Sequence, residues 1–132
     1  MLVQWSDALR VGVHEIDTQH IGIFEVCSRL NERVTTGAPE PIAAELDFLS
    51  NYLDAHFAME EKLMAEVQYG EMAQHQREHS LYRAALSGIL AKAKVDRAAV
   101  RTLADSVTTW LLFHIMQEDR ALAQHVASKR AG

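Results

Sequence analysis

The 132-residue chain has one cysteine, two prolines and six glycines, and basic residues are outnumbered 13 to 18 by acidic ones. A lone Cys27 excludes an internal disulfide framework, a CxxC redox pair, a cysteine-based zinc site and CxxCH haem attachment. The formal charge of -5 disfavours a general affinity for nucleic acid or for an anionic membrane surface. No apolar run approaches the ~20 residues that a membrane-spanning helix needs. Met1 to Asp7 carry no basic stretch leading into an apolar core, so no secretory signal is visible and a cytoplasmic location is expected. The hydrophobic share of 48% and charged share of 23% are those of an ordinary globular domain, and the length suits one core.

Histidine is what the chain has in excess. His14, His20, His56, His75, His79, His114 and His125 outnumber the three tyrosines and two tryptophans together. Their placement depends on where the helices lie. Gly37, Pro39 and Pro41 form one cluster of breakers and Gly70 another, while nothing interrupts a helix between Pro41 and Gly70 or from Ile89 to Ala131. Four helices fit this spacing after an arm of about 16 residues. The first runs from about Thr18, with Asp17 as N-cap, to Thr36; the second follows Pro41, suited to a first turn, and stops near Gln68. The third spans about Glu71 to Lys94, and the fourth starts after Asp96 and reaches about Ser128. Apolar 3-4 spacings in each segment, such as Ile23, Cys27 and Leu30 or Val100, Leu103 and Val107, predict an all-α, antiparallel up-down-up-down four-helix bundle. One domain over residues 1–132 is expected, the bundle covering about 17–128.

Extending those seams places polar residues where core residues should be. His20 precedes Ile23; Leu49, Leu53, His56, Glu60 and Leu63 form one inward series; His75 and His79 lead into Tyr82; Val107 and Trp110 lead to His114. With short connections, the starts of the first and third helices share an end of the bundle with the finishes of the second and fourth. At ~1.5 Å rise per residue, all these side chains fall in one layer. Five buried imidazoles with a carboxylate would leave too many unpartnered groups unless they hold metal. His14 in the arm and His125 near the chain end share neither seam nor layer and are expected at the surface. Met59, Met64, Met72 and Met116 are expected to fill gaps in the core or at its boundary, and Cys27 to be a small buried hydrophobe.

The spacing also constrains the metal. His56 with Glu60 and His75 with His79 are i,i+4 pairs that can converge on one centre. Five imidazoles plus carboxylates exceed a closed four-ligand zinc site and suit two ions of higher coordination number, with iron at home among such ligands. A carboxylate between two ions can bridge them. In the fourth helix Glu118, at i+4 from His114, is slightly favoured by spacing over Asp119, which lies about 140° round a regular helix from it. A ferritin-like site would need Glu-x-x-His motifs, and no glutamate here lies three before any histidine.

The set His20, His56-Phe57-Ala58-Met59-Glu60, His75-Gln76-Arg77-Glu78-His79 and His114-Ile115-Met116-Gln117-Glu118-Asp119, preceded by Trp5 and Val11-Gly12-Val13-His14-Glu15-Ile16-Asp17-Thr18-Gln19-His20, resembles the hemerythrins over nearly the whole chain. The resemblance implies two non-haem irons, one held by His75, His79 and His114 and the other by His20 and His56, bridged by Glu60, Asp119 and an oxo or hydroxo group. It prefers Asp119 to Glu118. It implies reversible dioxygen binding at the open position beside His20 and His56, for storage, delivery or sequestration, in a pocket lined by Ile23, Phe57, Trp110, Leu111 and Ile115. An oxygen-binding protein rather than an enzyme is expected. The competing uses of the same centre are sensing through a signalling partner chain and oxidase, peroxidase or nitric oxide chemistry. An oxygen-consuming partner fits a delivery role, and the lack of an evident extra apolar face favours a monomer. Gly22, inside the first helix beside His20, costs ~1 kcal/mol relative to alanine and is expected either to relieve crowding near the site or to be neutral.

Overall fold

The computed structural model describes residues 2–37 and 42–131, so Pro39 and Pro41 lie outside the described residues. A short 3-10 turn, Asp7–Leu9, interrupts the arm. Helices α1 (His14–Thr36), α2 (Ala43–Glu66), α3 (Met72–Val95) and α4 (Ala98–His114) follow. The last rod continues through a π-helical turn, Ile115–Asp119, into α5 (Arg120–Ala131). Helix α1 packs on α2 and α4, and α3 packs on the same two, which gives the expected ring of four antiparallel rods. No helix among the described residues is long and apolar enough to cross a membrane.

The helix ends differ from expectation most at α1. It begins at His14 rather than Thr18, with extended Val13 as N-cap, and Asp17 lies inside the first turn. Gly12, at φ 89°, folds the arm back so that its backbone faces that carboxylate. Asp17, only 5% exposed, accepts the N–H groups of Val11 at 2.8 Å and Gly12 at 3.1 Å. It therefore caps the arm instead of the helix, through charge-assisted bonds worth about 1.5–3 kcal/mol each. The other end of α1 closes on Gly37 in the left-handed conformation, whose N–H reaches back to the Arg33 and Val34 carbonyls. Between α3 and α4, extended Asp96 accepts the Ala98 N–H at 3.1 Å, so the carboxylate starts a new helix where neither glycine nor proline marks the break.

The apolar interior is divided in two. The larger cluster includes Ile23, Cys27, Leu30, Leu46, Leu49, Leu53, Leu86, Val100, Leu103 and Val107. The smaller one, toward the other end, includes Val13, Ile16, Leu63, Met64, Leu122 and Val126. Along the chain His20 falls between Ile16 and Ile23, Glu60 between Phe57 and Leu63, and Asp119 between Ile115 and Leu122. A polar layer is thus enclosed above and below by buried side chains, each worth about 1.5–3 kcal/mol in transfer free energy. Of the methionines, Met64 is fully buried as a core filler, whereas Met116 is 47% exposed and fills nothing: it lies on the outer side of the π turn.

Gly22 has a steric cause. A Cβ there would collide with the Tyr52 hydroxyl, because the Tyr52 ring from α2 lies directly against the α1 backbone. The crowding it relieves is with a tyrosine and not with a ligand. In a Tyr52→Ala background, Gly22→Ala is expected to stabilise the protein by about 1 kcal/mol, the helix-propensity gain. With Tyr52 present the same change should gain little or lose, and thermal unfolding of the four-member cycle measures the difference. Equal effects in both backgrounds would remove the steric explanation.

Candidate metal centre

All seven residues expected to bind metal meet in one buried layer. His20, His56, Glu60, His75, His79 and Asp119 have no exposed surface and His114 has 4%. Their donor atoms form two groups that share Glu60. One consists of Glu60, His75, His79 and His114, the other of His20, His56, Glu60 and Asp119. The carboxylate of Glu60 divides its oxygens between them: Oε1 lies 3.1 Å from both His75 Nε2 and His79 Nε2, while Oε2 lies 3.3 Å from His56 Nε2. Asp119 does the same, with Oδ1 3.2 Å from the Nε2 atoms of His75 and His114 and Oδ2 2.9 Å from His20 Nε2.

The π turn explains why Asp119 and not Glu118 arrives there. In a regular helix the residue five after His114 points well away from it. A turn closed by i→i+5 hydrogen bonds holds one additional residue, so Asp119 returns to the face of His114. Glu118 is left half-buried on the flank. Spacing alone leans the other way because it assumes regular geometry.

The donor set fits a pair of cations. Nε2 of His20 and His56, Oε2 of Glu60 and both oxygens of Asp119 are buried without a hydrogen-bond partner. Their short approaches do not lie along an N–H direction that would make a bond. The Nε2 atoms of His79 and His75 also stand 3.2 and 3.0 Å from that of His114, a crowding of nitrogens that a shared cation relieves. Two rings have their tautomers set from outside. His79 Nδ1 lies 2.9 Å from Glu61 Oε2 and His56 Nδ1 lies 2.8 Å from Gln19 Oε1, and both oxygens can only accept. The proton is thereby placed on Nδ1, leaving the Nε2 lone pair for metal. Glu61 and Gln19 were not identified from sequence; the signal for Glu61 is a second glutamate one residue after the candidate ligand Glu60.

Protonation of the cluster without metal follows from the same contacts. Burial opposes charge on His20, but the Asp119 and Glu60 carboxylates beside it prevail and raise it to about 9. His75 rises to about 10 and His114 to about 9, again against burial and through Asp119 and Glu60. Burial would raise the Glu60 carboxyl, but the nearby imidazoles, His56 foremost, hold it well below its ordinary range. Asp119 is likewise lowered, by His114 and His20, despite burial and the charge of Glu60. Metal therefore enters by displacing protons.

Around the layer, Ile23, Phe57, Leu111 and Ile115 are buried in the larger cluster and half-buried Trp110 packs against it. The Phe57 ring stacks on His79 at 4.2 Å and also approaches His56 at 5.8 Å; Trp110 stacks on His114 at 4.5 Å. Of the two outlying histidines, His14 is exposed as expected. His125 departs from the expected surface role: it is half-buried, its Nε2 lies 2.8 Å from the Val67 carbonyl, and its ring lies against Tyr69. It ties α5 to the end of α2.

A profile of the hemerythrin HHE cation binding domain matches residues 11–126. The chain belongs to the hemerythrin family. A bacteriohemerythrin from Stenotrophomonas maltophilia is 30% identical over 125 residues, covering 95% of this chain and 82% of that protein. One from Methylococcus capsulatus is 30% identical over 121 residues, covering 90% and 92%. A crystal structure of wild-type hemerythrin superposes with a TM-score of 0.77 at 27% identity, covering 96% of this chain and 98% of the other. Hemerythrins bind a di-iron centre, and the paired donor groups described above suit one.

Proposed function

We propose that this hemerythrin binds dioxygen reversibly, for storage or delivery, at two non-haem irons held by His20, His56, Glu60, His75, His79, His114 and Asp119. The observation that carries this reading is the division of both carboxylates between a three-histidine group and a two-histidine group. Such a donor set is unequal by construction, so an iron held beside His20 and His56 would have fewer histidine ligands than one held by His75, His79 and His114, and would leave room for an exogenous ligand. When bound, the iron pair supplies the electrons that dioxygen takes up on binding and returns on release.

The chain's own residues supply the surroundings. Ile23, Leu111 and Ile115 have no exposed surface and exclude water from the layer, which slows side reactions of a bound small molecule. Phe57 and Trp110 cover ring faces of the ligand histidines. Gln19 and Glu61 hold His56 and His79 in the tautomer that offers Nε2.

Anaerobic loading with ferrous iron followed by aeration tests the proposal. A visible charge-transfer band should appear with air and fade on degassing, over repeated cycles. Irreversible oxidation without such a band would overturn the carrier reading in favour of an enzyme or a sensor.

A further inference from the structure

Three aromatic rings lie face to face from the metal layer outward. Trp110 covers His114 with ring centroids 4.5 Å apart and planes 14° from parallel. Tyr82 covers Trp110 at 4.2 Å and 7°. The Tyr82 hydroxyl lies 3.2 Å from Ser106 Oγ. Trp110 is half-buried and, with Glu78, Phe113, His114, Gln117 and Glu118, lines a surface depression of about 210 Å³. The ring on the other flank, Phe57, resists mild oxidation, whereas indole and phenol are the side-chain rings that give up an electron most readily. Near-parallel stacking gives good π overlap between them.

We propose that the His114–Trp110–Tyr82 stack is an electron path that carries an oxidising equivalent away from the iron pair and so spares the ligand histidines. The proposal rests on the dioxygen-binding reading, since a centre that handles dioxygen also meets hydrogen peroxide. Peroxide takes up two electrons and two protons to give two waters. When the irons are already ferric, those electrons must come from the protein. The first leaves the Trp110 indole by way of His114. Tyr82 then returns one electron to Trp110 and becomes a neutral phenoxyl radical, its proton passing to Ser106 Oγ as the serine hydroxyl proton passes to water. Burial pushes the Tyr82 phenol up to about 12, so the hydroxyl proton is present at neutral pH. A thiol returns an electron and a proton to Tyr82, the second equivalent leaves by the same route at the expense of a second thiol, and the two oxidised thiols join as a disulfide.

If the stack only holds the His114 ring in place, a phenylalanine at position 82 should serve as well as tyrosine. The test treats oxidised, iron-loaded protein with hydrogen peroxide, freezes it within milliseconds and records the electron paramagnetic resonance spectrum; peptide mapping then locates oxidised side chains. Iron content and the air-dependent band are measured first, so failure of the dioxygen reading is seen separately. A tyrosyl radical is expected that is retained in Tyr52→Phe and Tyr69→Phe and lost in Tyr82→Phe, with more oxidation at His114 in that variant. Ser106→Ala, which leaves both rings in place, should shift the radical's g-value, and it decides the matter if Tyr82→Phe fails to take up iron. A radical that persists in Tyr82→Phe, one that disappears in Tyr69→Phe instead, or an unshifted spectrum in Ser106→Ala overturns the path.

Discussion

Glu60→Gln is expected to strip iron from both positions at once. The substitution keeps the size of the side chain and replaces one carboxylate oxygen, in a residue whose two oxygens face opposite groups of histidines at 3.1 and 3.3 Å. It also removes a negative charge from among five buried imidazoles. Loss of an outer partner of a metal ligand costs about 10–100-fold in affinity, so loss of a shared inner ligand should exceed about 100-fold at each position. His56→Ala should weaken only the iron on the two-histidine side. His125→Ala should keep its iron and lose stability, because that ring ties α5 to the Val67 carbonyl. Colorimetric iron determination after gel filtration measures all three. A Glu60→Gln protein that retains its iron pair, or equal loss in His56→Ala and His125→Ala, would sink the ligand assignment.

The metal-free protein should lose stability as pH rises from neutral toward 10. Free histidine titrates near ~6.5. His20 and His114 titrate in the folded protein at about 9 and His75 at about 10. The stabilisation from their pairing with Glu60 and Asp119 is therefore complete below the unfolded value and disappears as pH climbs through the folded ones. At about 1.4 kcal/mol per unit, three such groups make this a loss of several kcal/mol. Over the same range the affinity for ferrous iron should increase, since fewer protons have to be displaced. Melting temperatures by circular dichroism between pH 6 and pH 10.5, with and without iron, give the comparison. A metal-free protein whose melting temperature is flat or rising across that range would refute the charge-paired cluster.

Much of this was legible in the sequence, and for a physical reason. Helical periodicity fixes which residues face inward, and short connections fix which ends meet, so one layer containing His20, His56, Glu60, His75, His79 and His114 follows from arithmetic on residue numbers. What that arithmetic misses is anything depending on departure from the regular helix or on side-chain reach. Asp119 is the first kind: regular geometry turns it away, and only the resemblance selected it. Asp17 is of both kinds, since the residue expected to start α1 instead receives arm amides folded back by Gly12. Glu61, Gln19 and the Tyr52 ring against Gly22 are of the second kind, as is His125, whose partner is a carbonyl 58 residues away.

The π turn in the fourth rod acts as a dislocation. One extra residue is taken up between His114 and Arg120, and beyond it the helix resumes with Leu122, Ala123 and Val126 buried in the smaller cluster. The angular offset is absorbed within five residues, so the two halves of the rod are phased independently: residues before it answer to the larger core, residues after it to the smaller. Lengthening or shortening either half by whole turns would leave the other's face unmoved. The metal layer sits at the seam between them.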